Sequence, residues 1–530
     1  MTTDFDVVVL GYGPVGHVMA ALLAQDGWRV GVVERQLGLY PLPRIGHLDH
    51  EVMRIVQAVG VAAAFERDAC VCRTYDWVNA AGQVLIHFDW AKPEITGWSP
   101  HYLFYQPDLD ALLAGAVESR PNVQVFRGWE CRSVEQVHGT VTLDCQSRDG
   151  AARRFTTRYL IGADGANSFT RRAAGIEWTD LGFHADWLVV DYRPNDPEAD
   201  IPMPEAGQIC DPARPTSLFR RIGHKHCRWE FMLLPGETRE AMEQPERIWQ
   251  LLSPWVTPAD GILVRKAVYT FRSGLADQWR SGNVLLVGDA AHLMPPFLGQ
   301  GMGSGFRDAL NLAWKLDLVL RGVAPDALLD TYGDERKPHV AAIIEQAVAL
   351  GRVVCVSDQA EAAARDAALL GGDVPPPPPF PTLSGRLFAP DDALAGTLAL
   401  QGAVRSGGKE GMFDDVEGRG WKLLTFDKHL ARHLCQRDKL AADRLGLSVI
   451  ALSDCDDEGV LDLTGRYREF FAANGLAALV IRPDFYIYGG ARDYAAAEAL
   501  LDRLLHQGGP VAAGAPGEAG AVQRVEVPPG

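Results

Sequence analysis

Residues 7–16 read VVVLGYGPVG, and the fold of the chain turns on them. Val7, Val8, Val9 and Leu10 form an apolar, mostly β-branched run that predicts a buried strand. Met19, Ala20, Leu22 and Leu23 recur at helical spacing just beyond. Gly11, Gly13 and Gly16 stand between, so the order is strand, tight turn, helix. Gly11 permits the turn, Gly13 lets backbone approach a pyrophosphate, and Gly16 lets helix and strand pack closely. The helix N-terminus then faces the phosphate charge. A second apolar strand, Val30 to Val33, ends at Glu34, near the ~20-residue interval expected for a carboxylate that binds a ribose hydroxyl. The unit is expected to hold an adenine dinucleotide, with Pro14 and Arg35 beside these residues in the binding set. The motif alone does not choose between NAD and FAD.

A distant segment, LLVGDAAHLMPPFLGQGMGSG at 285–305, makes that choice. A short strand ends at Gly288-Asp289, where a carboxylate can accept hydrogen bonds from a polyol such as ribitol. The loop that follows carries Pro295, Pro296, Gly299, Gly301 and Met302 into a helix. Its amides and the helix N-terminus would face the pyrimidine edge of a flavin, where negative charge collects on reduction. A third segment, YLIGADGANSFTRR at 159–172, is again strand, turn and helix start, with Asp164-Gly165 at the turn.

These three segments, in this order, resemble the motifs of single-component FAD-dependent aromatic hydroxylases. PRIGHLDHEVMRIVQAVG (43–60), CDPARP (210–215), RWEFMLLPGETRE (228–240) and LLDTYGDERKPH (328–339) are most similar to 3-(3-hydroxyphenyl)propionate hydroxylases. The resemblance implies an FAD- and NAD(P)H-dependent monooxygenase, with O2 as co-substrate. It would transfer oxygen to a small phenolic acid through a flavin C4a-hydroperoxide. A polyketide-tailoring hydroxylase or epoxidase shares the same motifs and is the alternative. The resemblance also implies FAD contacts from Arg44 and Gln106, and a role for Asp164 with both FAD and nicotinamide. It tilts the reductant toward NADH and leaves a homodimer possible.

A phenol becomes a better nucleophile as its proton is removed, so a base near the ring is expected. His47 and Asp49, in the cluster with His50, are the leading candidates; Asp49 equally suits a helix cap. Tyr269, just before the GD strand, is a second candidate, or a sheet tyrosine. For a carboxylate-bearing substrate, Arg214 or Arg220 could act as a clamp. His292, inside the GD motif, is read as structural.

The chain has 530 residues, 47% hydrophobic, enough for two or three cores at roughly 100–200 residues per domain. The fold class expected is α/β. A discontinuous Rossmann-like FAD-binding domain (1–75, 101–179, 268–355) is joined by a β-sheet substrate domain (76–100, 180–267). The run VPPPPPFPTL at 374–383 marks a stiff Pro/Ala-rich linker over 356–390. A thioredoxin-like domain (391–506), resembling the appendage of these hydroxylases, and a disordered tail (507–530) follow. The domain has no Cys-x-x-Cys, so it is not expected to be redox-active. Net charge of −17 disfavours nucleic acid and anionic membrane as partners. No apolar run reaches the ~18 residues of a membrane helix, so a cytoplasmic protein is expected. Nine scattered cysteines suggest reduced thiols and no metal site.

Overall fold

The computed structural model describes residues 3–510 except 93, 373–377, 438, 456–458, 508 and 509, together with 523 and 524. The disordered tail expected from 507 onward lies almost wholly outside the described residues.

The opening run builds the centre of a nine-stranded sheet. Phe5–Leu10 pairs in parallel with Val30–Glu34 on one side and with Ala152–Gly162 on the other. Val123–Arg127 extends the parallel array beyond Val30–Glu34, and Val284–Leu286 extends it beyond Ala152–Gly162. Trp129–Val137 and Thr140–Ser147 add an antiparallel wing. A parallel sheet is buried on both faces, which is why Val7, Val8, Val9, Val32, Leu160 and Ile161 are all inaccessible to solvent. Helices Pro14–Gln25 and Gly301–Leu320 pack together on this core, so both glycine-rich turns open toward one cleft.

The second sheet has eight strands. In spatial order they are His292–Leu293, Gly261–Ala276, Trp178–Pro194, Cys227–Met232, Thr216–Phe219, Ala206–Cys210, Thr74–Asn79 and Val84–Asp89. Gly261–Ala276 runs as one strand beside Trp178–Pro194, so a domain boundary at 268 cuts through it; the chain leaves this sheet only after Ala276. One face carries Leu188, Val190, Trp229, Phe231 and Val268 against the helix Pro245–Leu252. The other carries Trp77, Trp187, Met232 and Phe271 toward Phe297 of the GD loop.

The third sheet centres on Trp421–Thr425. It is parallel to Leu447–Ser453 and antiparallel to Ala478–Ile481, which pairs with Ile487–Ala491, a thioredoxin-like arrangement. Within the stretch expected to be an extended linker, Gln359–Gly371 is instead an α-helix. Its alanines favour helix, and the Asp358 side chain accepts from the amides of Ala360 and Glu361 as an N-cap. Among the described residues, no single helix is long and apolar enough to cross a membrane.

Candidate active site

The dinucleotide turn is shaped by what its glycines approach. Gly11 has φ +107°, and a Cβ there would sit 2.4 Å from the carbonyl oxygen of Ala163. A Cβ on Gly16 would lie 2.2 Å from the Gly11 oxygen. Gly13 has no neighbour within 4 Å, so its open side faces the cleft. The helix starts at Pro14 with no side-chain cap, which leaves its first amides free for phosphate oxygens. Glu34 accepts from the Tyr12 amide at 2.9 Å and from the Gln36 amide at 2.7 Å, holding its carboxylate at the end of the second strand. Arg35 follows on the surface, in a groove it shares with Arg132 and Arg148.

At the flavin end, Asp289 is exposed to the cleft and accepts no hydrogen bond from any described residue. Enclosure by the surrounding protein raises its carboxyl above the usual range. Gly288 (φ +60°) abuts Val15 and so ties the two glycine turns together. Pro295 leads into the turn Pro296–Leu298, Gly299 follows at φ +65°, and the helix Gly301–Leu320 begins uncapped. Met302 is buried behind this helix start. A three-glycine cradle, two uncapped helix starts and an open carboxylate at the GD turn fit FAD. Its pyrophosphate would lie at Gly13 and its ribityl chain at Asp289.

The other expected contacts have mixed outcomes. Gln106 is buried, and its Oε1 accepts from the amides of Arg44 and Ile45 at 2.8 and 3.0 Å. It therefore shapes the Arg44 segment rather than reaching into the cleft. The Arg44 guanidinium lies over the Tyr40 ring. Asp164 closes its own turn by accepting from Ser168 and Thr170. Asp49 is not an available base. It caps the helix His50–Val59 through the Val52 amide, and accepts from Gln300 at 2.8 Å and from Arg307 at 2.7 Å. Arg307 holds its carboxyl far below the ordinary carboxylate range, against the effect of burial. Arg214 is no clamp either: Glu237 takes both of its terminal nitrogens at 2.6 Å. Glu237 in turn is held down to about 2, chiefly by that bond. Arg220, at the end of Thr216–Phe219, is half-buried. His292 donates to Asp308 at 2.6 Å within the core, as a structural pair.

His47 faces the flavin loop. Its Nδ1 is 3.4 Å from the Gly299 oxygen, and its Nε2 is 2.7 Å from Nδ1 of His101. Both imidazoles are kept neutral by burial, His101 down to about 2. Trp90 lies 3.7 Å above His101, and Tyr75 stacks on Trp90 at 5.0 Å. An aromatic wall thus runs from Gly299 to the inner face of the second sheet. Tyr269 stands on that face beside Trp187, under the Arg265 guanidinium at 4.5 Å. His101, Glu230 and the buried Arg228–Asp191 pair were not found by sequence reading. The first comes from a diagonal pairing of strands His47–Asp49 and His101–Leu103.

Fold and site together define a flavoprotein with an aromatic wall beside its GD loop. The FAD binding domain family model matches residues 4–347, and the HcaD C-terminal domain model matches 396–507. The chain belongs to this FAD-binding family and is an FAD-dependent hydroxylase. It is 40% identical over 515 residues, 96% of each chain, to a probable NADH-specific resorcinol 4-hydroxylase of Rhodococcus jostii. It is 34% identical to a 3-(3-hydroxy-phenyl)propionate/3-hydroxycinnamic acid hydroxylase of Mycolicibacterium smegmatis, covering 91% of this chain and 90% of the other. The crystal structure of aklavinone-11 hydroxylase with FAD and aklavinone superposes with a TM-score of 0.78 at 23% identity, over 95% of this chain and 99% of that one, which establishes the fold.

Proposed function

We propose that the chain uses NADH, FAD and O2 to hydroxylate a small single-ring phenol ortho to its hydroxyl, with the His47–His101 pair accepting the phenolic proton. The observation that carries this reading is the neutral His47–His101 pair set against Gly299, at the mouth of the aromatic wall. Bound FAD, reduced by NADH, supplies the activation of O2. The protein's residues do the rest. The Gly299 carbonyl can only accept, so Nδ1 of His47 donates to it, Nε2 of His47 accepts from Nδ1–H of His101, and Nε2 of His101 is the nitrogen left open to a proton. Trp90, Tyr75, Trp187 and Phe297 exclude water from the ring's surroundings. Resorcinol and 3-(3-hydroxyphenyl)propionate, the substrates in the relatives' names, are both phenols with a second substituent meta to the hydroxyl, and a meta-substituted phenol is the substrate inferred.

The test is NADH oxidation by the holoenzyme with a panel of phenols, measuring hydroxylated product and hydrogen peroxide together. Product matching NADH consumed, with single-ring meta-substituted phenols, is the expected result. Turnover confined to multi-ring phenols would move the function to polyketide tailoring.

A further inference from the structure

The strand Cys227–Met232 buries all six of its residues, and alternation divides them between two faces. Trp229 and Phe231 pack with Trp255 on the outer face. Arg228, Glu230 and Met232 therefore point inward, toward the flavin loop. Cross-strand register places Ser217 on one side of Glu230 and Val189 on the other, with Ala267 beyond Val189. The flanking rows are bulky: Met232, Trp187 and Tyr269 on one side, Arg228, Asp191 and Arg265 on the other. Ser217, Val189 and Ala267 are shorter than the residues of either flanking row, and Glu230 stands among them.

Glu230 lacks a partner suited to a buried carboxylate. It accepts no hydrogen bond from any described residue, and the nearest cation, Arg228, is 3.9 Å away. Four of the five N–H groups of Arg228 are committed to Asp191 and to the carbonyl oxygens of Pro43 and Arg44, and Nη1, which carries the fifth, stands 3.9 Å from Glu230, beyond hydrogen-bond reach. The cross-strand neighbour Ser217 is committed too, donating to Gln208 at 2.6 Å, while Gln208 donates to the Tyr75 hydroxyl at 2.6 Å, and neither Gln208 nor Tyr75 bonds Glu230. An inward carboxylate without a donor is costly unless a ligand supplies one. Arg265 is the guanidinium whose donors stay open. It lies two strands from Glu230, about 10 Å by strand spacing, among Asp191, Tyr40 and Arg44 at the cofactor end.

We propose that Glu230 sets substrate choice by accepting a hydrogen bond from a second hydroxyl on the substrate ring. The preferred substrates are then neutral dihydric phenols, and a ring carrying a carboxylate at that place is repelled. This rests on the hydroxylase reading above and names the substrate class within it. A site built to receive a hydroxyl rejects an analogue without one more strongly than an apolar pocket can, because its acceptor is left bare.

Binding is read by the change in flavin absorbance as the holoenzyme is titrated with resorcinol, phenol and 3-(3-hydroxyphenyl)propionate. Wild-type protein should bind resorcinol roughly 10- to 100-fold more tightly than phenol, the range for a hydrogen bond to a charged acceptor. The same preference should hold over the acid. In Glu230→Gln the resorcinol-to-acid affinity ratio should fall about tenfold or more, with FAD content unchanged. A ratio taken within one variant cancels general damage, and the wild-type series needs no variant. Equal binding of resorcinol and the acid by wild type, or an unmoved ratio in Glu230→Gln, overturns the proposal. Tight, Glu230-dependent binding of resorcinol with no hydroxylated product would sink the hydroxylase reading alone.

Discussion

His47 and His101 divide a task that neither performs alone. His47 touches the flavin loop, while His101, sandwiched between His47 and Trp90, offers the nitrogen open to the proton. Replacing His47 by Ala breaks the pair without touching the glycine cradle. Hydroxylated product should drop by about 10²- to 10⁴-fold, the usual contribution of a positioned base. NADH oxidation should continue, with hydrogen peroxide in place of product. Parallel assays of product and peroxide decide it, and unchanged coupling would remove His47 from the chemistry. His47 was visible in sequence as one of three polar residues ahead of a helix. Its partner was not, because 54 residues separate the two and only strand register brings them together. Glu230 escaped for another reason: RWEF alternates polar and apolar residues as a half-exposed strand does, so Glu230 reads as solvent-facing, and only the packing over that face buries it.

At the scale of elements, the strand–turn–helix of residues 5–25 was legible because each glycine answers a steric demand that sequence spacing reveals. That gives a paired prediction. Gly11→Ala meets backbone at 2.4 Å in a left-handed conformation and should lower the melting temperature as well as the FAD content. Gly13→Ala meets nothing, so the apoprotein should melt near the wild-type temperature yet purify with little flavin. Flavin absorbance per mole and thermal melts of both variants provide the check; similar behaviour of the two would mean that the turn does not approach a phosphate. The helix His50–Val59 was less legible. Asp49 fits a cap and a base equally well on paper, and only Arg307, 258 residues away, settles which. Residues 359–371 mislead in the opposite direction, since alanines beside a proline run look like linker until Asp358 caps them into a helix.

For the molecule as a whole, two buried histidines make stability pH-dependent. Burial pushes His101 down to about 2 and His17 down to about 3. In the unfolded chain both take up a proton near 6.5. Their contribution is therefore complete above pH 6.5 and is lost as pH falls toward 3, by roughly 1.4 kcal/mol per pH unit for each. Melting temperature should decline between pH 6.5 and 4.5, and His17→Leu should flatten that decline; an identical slope in the variant would refute the assignment. A second prediction concerns the third sheet. Arg482 binds Glu335 at 2.7 Å and Asp484 at 2.7 Å, with Lys315 on the same Glu335, all buried between the flavin helix and the thioredoxin-like unit. Arg482→Ala leaves those carboxylates short of positive charge and should destabilise by about 3–5 kcal/mol. Calorimetry should show one shifted transition for the entire chain, whereas a separate early transition of the third unit would show that the two melt independently.

The third sheet also reaches the cofactor cleft from behind. The Tyr486 hydroxyl bonds Glu51 at 2.6 Å, Glu51 bonds Arg307 at 2.6 Å, and Arg307 bonds Gln300, the residue after Gly299, at 2.8 Å. The appendage is thus not a detachable passenger. A chimaera that grafts the C-terminal unit of a relative onto residues 1–390 must carry a phenol hydroxyl to that same spot. Otherwise it inherits a flavin loop with its rear anchor cut.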